Sequence, residues 1–417
     1  MIRAHALTKH RALAVDPKAL FRATGGAVLF ETGDQANRGP RRSILVPHVA
    51  VRLEIRGPRV RLTAVSVQGR AVVAELARAL PASVVAASPT TVELEFPRAE
   101  AEDDEARLRL PTPLDAVRAL VSASVEGEPG PFAVFAAVLF TYDLVDVFEV
   151  LPPPDSDPHL QPDAVVLLAE SVIVVDARTG TVRLFATAFG DDPTAIPDAA
   201  RRLAALEASI DALPDAKAPP RVPEVRVSVD LDDAAYAARV VRLKEHITAG
   251  DVFQIVLSRT FSAPCVDVPA AYARLAASNP SPYQFLWSDA GTFVFGASPE
   301  AAVRVTREEG SLRLHLHPIA GTRPRGASPD EDDRIEAELR LSEKEVAEHM
   351  MLVDLARNDV ARVSVPGTRR LTRLLATERY SHVMHLVSEV TGTLRPGLDN
   401  VWHGQCAVAG GGVHTPR

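Results

Sequence analysis

Apolar residues alternate with polar ones, or run without a break, along most segments that we predict to be strands. Gly and Pro residues bound these segments, as expected for strands joined by turns. The A-R-T-G segment at 177–180 separates two such runs and predicts a β-hairpin. The predicted strands are 26–32, 43–55, 59–67, 164–176, 181–189, 253–259, 292–297, 311–317 and 381–390.

Two segments show helical patterning instead. Asp230 and Asp232 can cap a helix that runs to about Ala249 and ends at Gly250. The apolar residues of this helix lie on one face: Tyr236, Val240, Leu243 and Ile247. Residues 342–362 predict a second, longer helix. Helices and groups of strands alternate without regular βαβ spacing, which favours an α+β fold over a doubly wound sheet.

Composition indicates a globular protein without a basic surface. The 417 residues are 47% hydrophobic and 24% charged, and the net charge is −8. That charge argues against binding of nucleic acid or of a membrane surface. The longest apolar run, 131–140, is too short to span a bilayer, and the N-terminus lacks the apolar core of a signal peptide. With only Cys265 and Cys406, we expect a cytoplasmic protein.

A proline-rich segment divides the chain. Residues 215–223 contain three prolines and form the best linker in the sequence. We therefore predict an N-terminal domain (1–214), a linker (215–224) and a C-terminal domain (225–398).

Glu345 and Glu348 lie at i, i+3 on the long helix, so both carboxylates share one face. A cation such as Mg²⁺ would relieve their repulsion. A structural reading competes, because Ser342-x-x-Glu345 is also a capping box, which we favour for Glu345. For Glu348, a solvated helix face is the competing interpretation.

Three further residues are candidates for chemistry. His385 lies within an apolar strand, where a satisfied core histidine is the commoner reading. Glu300 follows a strand and a proline, where a carboxyl can serve as a general acid if burial raises its pKa. An exposed loop residue is the alternative. Gln254 lies between apolar residues and needs hydrogen-bond partners if it is buried, which a structural role would also explain.

Six stretches together resemble the chorismate-utilising enzymes, and within them the large, component I chains of anthranilate synthases. They occur in the family's order across about residues 225–398, with a looser match at 27–34 and 43–46. The stretches are G-D-V-F-Q-I-V-L-S-R (250–259), S-N-P-S-P-Y (278–283), G-A-S-P-E (296–300), P-I-A-G-T-R-P-R-G (318–326), A-E-H-M-M-L-V-D-L-A-R-N-D (347–359) and R-Y-S-H-V-M-H-L-V-S (379–388).

The resemblance implies a four-layer α/β/β/α fold that binds chorismate and Mg²⁺ in a cleft. By position, it makes Glu348 a Mg²⁺ ligand and Glu345 a supporting carboxylate. Glu300 would protonate the departing C4 hydroxyl, and His385 would lie beside that oxygen. Gly321 and Thr322 would contact the ring carboxylate of the substrate.

The implied reaction converts chorismate and ammonia to anthranilate and pyruvate. Related isochorismate and salicylate synthases carry a lysine base where this chain has Gln254. Aminodeoxychorismate synthases typically carry a nucleophilic lysine where it has Ala320. Both differences indicate direct attack by ammonia, leaving anthranilate synthase or aminodeoxyisochorismate synthase. The sequence has no G-x-C-x-G nucleophile segment for glutamine hydrolysis, so a separate glutamine amidotransferase subunit (component II), or free ammonia, is expected.

Two further expectations follow from the resemblance. An allosteric site for tryptophan would use residues that correspond to the family's feedback site: Glu31, Thr32, Arg42, Asn279, Pro280, Tyr283 and Gln284. After residue 398 the resemblance ends, so we interpret 399–417 as an aberrant tail and expect the fold to be incomplete at the C-terminus, through truncation or a frameshift. A catalytically inactive homologue that binds a partner or tryptophan is therefore an alternative to an active enzyme.

Overall fold

The computed structural model describes residues 2–34, 39–96, 109–127, 132–147, 161–213, 225–252 and 254–398. Its helices are α1 (Pro17–Thr24), α2 (Gly69–Ala79), α3 (Leu114–Val121), α4 (Ala195–Asp211), α5 (Asp233–Ala249), α6 (Val268–Ser278), α7 (Pro329–Leu341) and α8 (Glu343–Val363). Its strands are β1 (Ile2–Ala12), β2 (Val28–Asp34), β3 (Gly39–Arg56), β4 (Arg59–Ala64), β5 (Val84–Ala87), β6 (Thr91–Glu95), β7 (Ala123–Gly127), β8 (Ala136–Phe140), β9 (Ala164–Asp176), β10 (Thr181–Phe189), β11 (Ser228–Val229), β12 (Phe261–Ser262), β13 (Tyr283–Asp289), β14 (Thr292–Ser298), β15 (Arg304–Glu308), β16 (Ser311–Leu316), β17 (Ile319–Pro324), β18 (Arg370–Arg379) and β19 (Val383–Thr393).

A 12-stranded sheet contains the N-terminal strands together with β13 and β14. Its main path runs β14-β13-β2-β3-β9-β10-β1-β7, and β4, β5, β6 and β8 join at its side. Strand β3 is 18 residues long and pairs with β2, β4 and β9. The sheet thus places β2 beside β13, which brings two distant parts of the chain together.

Burial on both faces explains why the sequence of β9 is mostly apolar rather than alternating, with Glu170 and Ser171 as its polar residues before Asp176. Ile173 and Val175 pack into a core shared with helices α1, α4 and α6. Val172 and Val174 point to the other face, into a second apolar cluster. A strand that is buried on both faces therefore has a nearly continuous apolar sequence.

The smaller sheet has five strands, with β19 at its centre. Strand β19 pairs antiparallel with β16, β17 and β18. Helices α7 and α8 pack on this sheet through two apolar clusters that contain Leu339 from α7 and Val360 from α8. Helix α8 therefore lies directly against β17 and β19.

The P-I-A-G-T stretch forms most of β17, which ends at Pro324. Arg325 then anchors the chain. Its guanidinium donates to the buried Asp332 carboxylate, with Nε 3.0 and 3.1 Å from the two oxygens, and the Gly326 amide also donates to Asp332. These donors, with Arg325 the largest influence, lower the pKa of Asp332 to about 2. This ion pair fixes the direction in which the chain leaves β17.

The α+β prediction is confirmed, and most strands form as expected. The hairpin consists of β9 and β10, which cover 164–176 and 181–189 as predicted. Helix α5 begins after Asp232, whose side chain accepts from the Ala235 amide, and ends at Gly250 in the left-handed region. No residue of α5 is fully buried. Of its predicted apolar face, Tyr236 packs under the Arg259 guanidinium and donates to the Leu257 carbonyl at 3.0 Å.

The strand predicted at 253–259 is wrong. Residues 254–260 belong to no helix or strand, and Val256 is 85% exposed. An apolar segment forms a strand only where a neighbouring strand can pair with it. In this part of the described chain, pairing begins at the two-residue strand β12, which pairs with β11. The predicted linker, 215–224, and the tail, 399–417, lie outside the described residues. None of the helices described is long and apolar enough to cross a membrane.

Candidate active site

Gly321 interrupts the pairing of β17 with β19. Ala320 pairs with Leu386 and Thr322 with His385, so Gly321 is the extra residue of a bulge. Its φ of +77° is one that side chains disfavour. An added Cβ would also come within 3.4 Å of the Glu345 Cβ and 3.2 Å of the Leu386 Cδ1. The bulge therefore brings backbone polar groups close to helix α8.

Thr322 and His385 form a hydrogen-bonded pair on neighbouring strands. The Thr322 hydroxyl lies 3.0 Å from the His385 Nδ1. Burial lowers the pKa of His385, opposed by a hydrogen bond with the Gly321 backbone. The ring also packs edge-on against Tyr380, with centroids 5.2 Å apart. At neutral pH His385 is therefore a neutral imidazole, which can exchange a proton with a substrate oxygen.

Glu300 follows β14 and faces the same cluster. Its charge contributes to raising the pKa of the buried Tyr380, so the two side chains are close. Glu300 keeps an exposed surface, yet desolvation of its carboxyl raises its own pKa to about 7. A carboxyl with this pKa is substantially protonated near neutrality. It can therefore donate a proton in a reaction at physiological pH.

Glu345 is ionised and held by two cations. Arg323 Nη1 donates to Glu345 Oε1 at 3.1 Å, and Lys344 Nζ lies 3.6 Å from the same oxygen. The hydrogen bond from Arg323 is the largest cause of its lowered pKa. The predicted cap is half confirmed: the Ser342 hydroxyl accepts from the Glu345 amide at 3.5 Å, but the carboxylate turns to Arg323.

Glu348 lies one turn further along α8 and is half-buried. In contrast to Glu345, it has no hydrogen bond or ion pair with any residue that the structure describes. Across that part of the chain, no three His, Cys, Asp or Glu side chains converge as a metal cage. Mg²⁺ does not need such a cage, since it is commonly held by one or two carboxylates, waters and substrate oxygens. A half-buried carboxylate without a protein cation fits that ion.

The structure thus brings together Glu300, Gly321, Thr322, His385 and Glu345, with Glu348 on the adjoining turn. Gln254 is exposed and makes no hydrogen bond with the other site residues that the structure describes. Its predicted catalytic place remains a prediction.

Sequence reasoning missed two residues of the cluster. Arg323 neutralises Glu345, and Tyr380 packs on His385 while hydrogen bonding the Glu378 carboxylate at 2.9 Å. Both lie inside the stretches that carry the resemblance. The signal available for Arg323 was its position directly after Gly321-Thr322. Nothing in the local pattern shows that it reaches α8.

A second polar cluster contains the residues that are predicted to bind tryptophan. Glu31 on β2 pairs in register with Gln284 on β13, and Thr32 pairs with Arg42 on β3. The loop before β13 closes onto them, since the Gly33 amide donates to the Pro282 carbonyl at 3.2 Å. Asn279, Pro280 and Tyr283 lie in or next to this loop.

Glu31 is buried within this cluster and already has several partners. Lys18 Nζ lies 2.9 Å from its carboxylate, the Tyr272 hydroxyl donates to it at 2.6 Å, and the Ser43 hydroxyl lies at 3.3 Å. A ligand ammonium would have to share this carboxylate with Lys18.

The sequence is similar to a defined family over most of its length. The family described as chorismate binding enzyme matches residues 78–406. The chain is 42% identical over 408 residues to "Anthranilate synthase component 1, pyocyanine specific" of Pseudomonas aeruginosa, covering 94% of this chain and 75% of that protein. It is 40% identical over 401 residues to anthranilate synthase component 1 of Vibrio cholerae, covering 92% of this chain and 75% of that protein. It is 39% identical over 409 residues to anthranilate synthase component 1 of Escherichia coli, covering 94% of this chain and 77% of that protein.

The fold is also similar to solved structures. Anthranilate synthase component I from Streptococcus pneumoniae superposes with a TM-score of 0.65 at 23% identity, covering 88% of this chain and 72% of that one. The menaquinone-specific isochorismate synthase from Escherichia coli gives a TM-score of 0.58 at 14% identity, covering 95% and 71%. At these identities the likeness shows a shared fold.

Proposed function

The chain belongs to the chorismate binding enzymes, and from that premise we propose that it is the large subunit of an anthranilate synthase. It would convert chorismate and ammonia to anthranilate and pyruvate, the first step of tryptophan biosynthesis. The observation that carries the proposal is the 39–42% identity, over more than nine-tenths of this chain, to proteins named anthranilate synthase component 1. These similarities favour an active synthase over an inactive homologue or an aminodeoxyisochorismate synthase.

The clustered residues would supply the groups that this lyase reaction needs. The Thr322 hydroxyl and the Gly321 backbone would hold the ring carboxylate of chorismate. Glu300, protonated near neutral pH, would donate its proton to the C4 hydroxyl as that group leaves as water. Ala320 presents no side chain able to attack C2, so ammonia would form the new C–N bond directly. His385 would lie beside the departing C4 oxygen. Loss of the C2 proton and cleavage of the C3–O bond would then release the enolpyruvyl group as pyruvate and leave the aromatic ring.

Mg²⁺ would bind at Glu348, and when bound it would neutralise the ring carboxylate of the substrate. Glu345 would stay a supporting group, because Arg323 and Lys344 already offset its charge. Arg323 follows Thr322 directly, so this ion pair connects the carboxylate-binding strand to the metal-binding helix.

The direct test uses the purified chain with chorismate, Mg²⁺ and ammonium. We expect the fluorescence of anthranilate to appear and pyruvate to form in equal amount. Consumption of chorismate without release of pyruvate would indicate an aminodeoxyisochorismate synthase instead. No consumption of chorismate, by a chain that is folded, would overturn the proposed function.

A glutamine amidotransferase, component II, is the proposed partner, since the relatives are named as component 1 of their enzymes. Adding such a subunit should allow glutamine to replace ammonium in the assay. A cytoplasmic location also remains a proposal, made from the composition and the two cysteines.

We further propose that tryptophan binds at the second polar cluster and inhibits the reaction. Support comes from the register of β2, β3 and β13, which places Glu31, Thr32, Arg42 and Gln284 side by side. The Arg42 side chain is exposed and lies 3.8 Å from the Asp176 carboxylate. It is therefore available to the carboxylate of an amino acid.

Replacing Arg42 with alanine is expected to weaken inhibition by tryptophan about tenfold or more, because a charged hydrogen bond is lost. The KM for chorismate should stay unchanged. Inhibition curves for the wild type and the Arg42→Ala variant measure the effect. Arg178→Ala, an exposed change on the β9–β10 turn, serves as the matched control. Equal tryptophan sensitivity in all three proteins would refute this site.

A further inference from the structure

A buried chain of hydrogen bonds crosses the smaller sheet beneath the candidate site. His349 on α8 has no exposed surface, and its Nδ1 lies 3.3 Å from the Ala320 carbonyl oxygen. Its Nε2 lies 2.7 Å from the Ser388 hydroxyl of β19, which is also fully buried. That hydroxyl in turn accepts from the Leu375 amide of β18 at 3.0 Å.

The partners allow only one arrangement of protons. The Ala320 carbonyl can only accept, so a neutral His349 carries its ring proton on Nδ1 and its Nε2 is an acceptor. The Ser388 hydroxyl therefore donates to Nε2, while its oxygen accepts from the Leu375 amide. Every donor and acceptor in the chain is then satisfied, which a fully buried network requires to be stabilising.

Both ends of this network lie at irregularities of the sheet. The Ala320 carbonyl belongs to the peptide group that leads into Gly321, the bulge residue of β17. At the other end, Leu375 has φ of +49°, unusual for leucine, and lies where the pairing of β18 with β19 shifts register. Bulges beside functional sites commonly re-aim neighbouring groups, and these two need an anchor to hold one conformation.

We propose that His349 is a positioning residue, which, through Ser388, fixes the Ala320–Gly321 peptide relative to helix α8. His349 directly follows Glu348, the proposed Mg²⁺ ligand. The network therefore sets the separation between the metal-binding carboxylate and the backbone that binds the ring carboxylate. This inference rests on the proposed function for its consequence in catalysis, but the network itself is independent of that function.

Two amide variants separate the halves of the network. The side-chain nitrogen of Asn can take the place of Nδ1, so His349→Asn keeps the donor to Ala320 and loses the acceptor for Ser388. In His349→Gln, the amide reaches the place of Nε2, so the acceptor is kept and the Ala320 carbonyl loses its donor. We expect His349→Gln to raise the KM for chorismate about tenfold, with kcat changed less, and His349→Asn to raise it no more than about threefold.

This division of effects distinguishes positioning from a merely structural role. General destabilisation reduces the fraction of active protein, which lowers the apparent kcat at an unchanged KM. Thermal unfolding is measured alongside. A KM that rises equally in both variants, or in neither, would overturn the positioning role.

Ser388→Ala provides a second measurement, with Ser171→Ala as its control. Ser171 is also fully buried in a strand, but its hydroxyl has no hydrogen-bond partner among the residues that the structure describes. We expect Ser388→Ala to lower Tm and raise the KM for chorismate, because it leaves two buried groups unpaired, whereas Ser171→Ala should not lower Tm or change the KM.

Nuclear magnetic resonance of the histidine nitrogens tests the hydrogen-bond network without an activity assay. In protein labelled with ¹⁵N-histidine, we expect His349 to be neutral with its proton on Nδ1, and the Nε2 signal to shift in Ser388→Ala. A proton on Nε2 would contradict the network even if the wild type produces anthranilate. If the wild type produces none but the Nδ1 proton is found, the proposed function fails and the network stands.

Discussion

Replacing Glu300 with glutamine is expected to lower kcat for anthranilate formation by about 10²- to 10⁴-fold, the usual contribution of a general acid. Glutamine has nearly the same shape but cannot give a proton to the departing C4 hydroxyl. Substrate binding should change little, so the KM for chorismate should remain near the wild-type value. Glu309→Gln, a change in an exposed turn, is the control and should leave kcat unaltered.

The pH dependence tests the same role in the wild type. Desolvation raises the pKa of Glu300 to about 7, so its protonated form is present below that pH and disappears above it. At a constant concentration of free ammonia, kcat/KM should fall as pH rises through about 7. The Glu300→Gln variant should lack this step. If the variant keeps the step, another group is the acid.

Much of the fold follows from local pattern. Strands such as β9 and β10 have long, mostly apolar sequences and a clear turn between them, and α5 has its caps at the predicted residues Asp232 and Gly250. These features depend on residues close together in the sequence. The segment predicted at 253–259 is also rich in apolar residues, but residues 254–259 form no strand, because pairing depends on a partner that the local pattern does not specify.

The residues of the candidate site also divide into those that the sequence predicts and those that depend on the fold. The motifs identified Glu300, Thr322 and His385, and the fold brings these residues together. Arg323 and His349 were not predicted, since their roles depend on contacts between elements 20 or more residues apart. Tyr380 was not predicted because its position close to Glu300 arises only from the folded chain. The raised pKa of Glu300 also depends on desolvation by the folded chain. A sequence identifies residue types with suitable chemistry, whereas their environment comes from packing.

Replacing Glu348 with glutamine is expected to raise the Mg²⁺ concentration needed for half-maximal activity by about 100-fold, because the charged oxygen ligand is lost. Glu345→Gln should have a smaller effect, within the 10- to 100-fold range typical of groups that support a metal ligand. The difference follows from their partners. Arg323 and Lys344 already neutralise Glu345, whereas Glu348 has no cation partner among the described residues.

Activity titrated with Mg²⁺ at saturating chorismate measures both effects. Glu343→Gln, an exposed change at the first residue of α8, controls for loss of a carboxylate from the same helix and should leave the titration unchanged. If Glu348 were only a solvated surface residue, its variant would behave like the Glu343 control. If Glu345 were the main ligand, the order of the two effects would reverse, and Arg323 would have to release that carboxylate when the metal binds. The order of the two midpoints therefore identifies which carboxylate holds the ion.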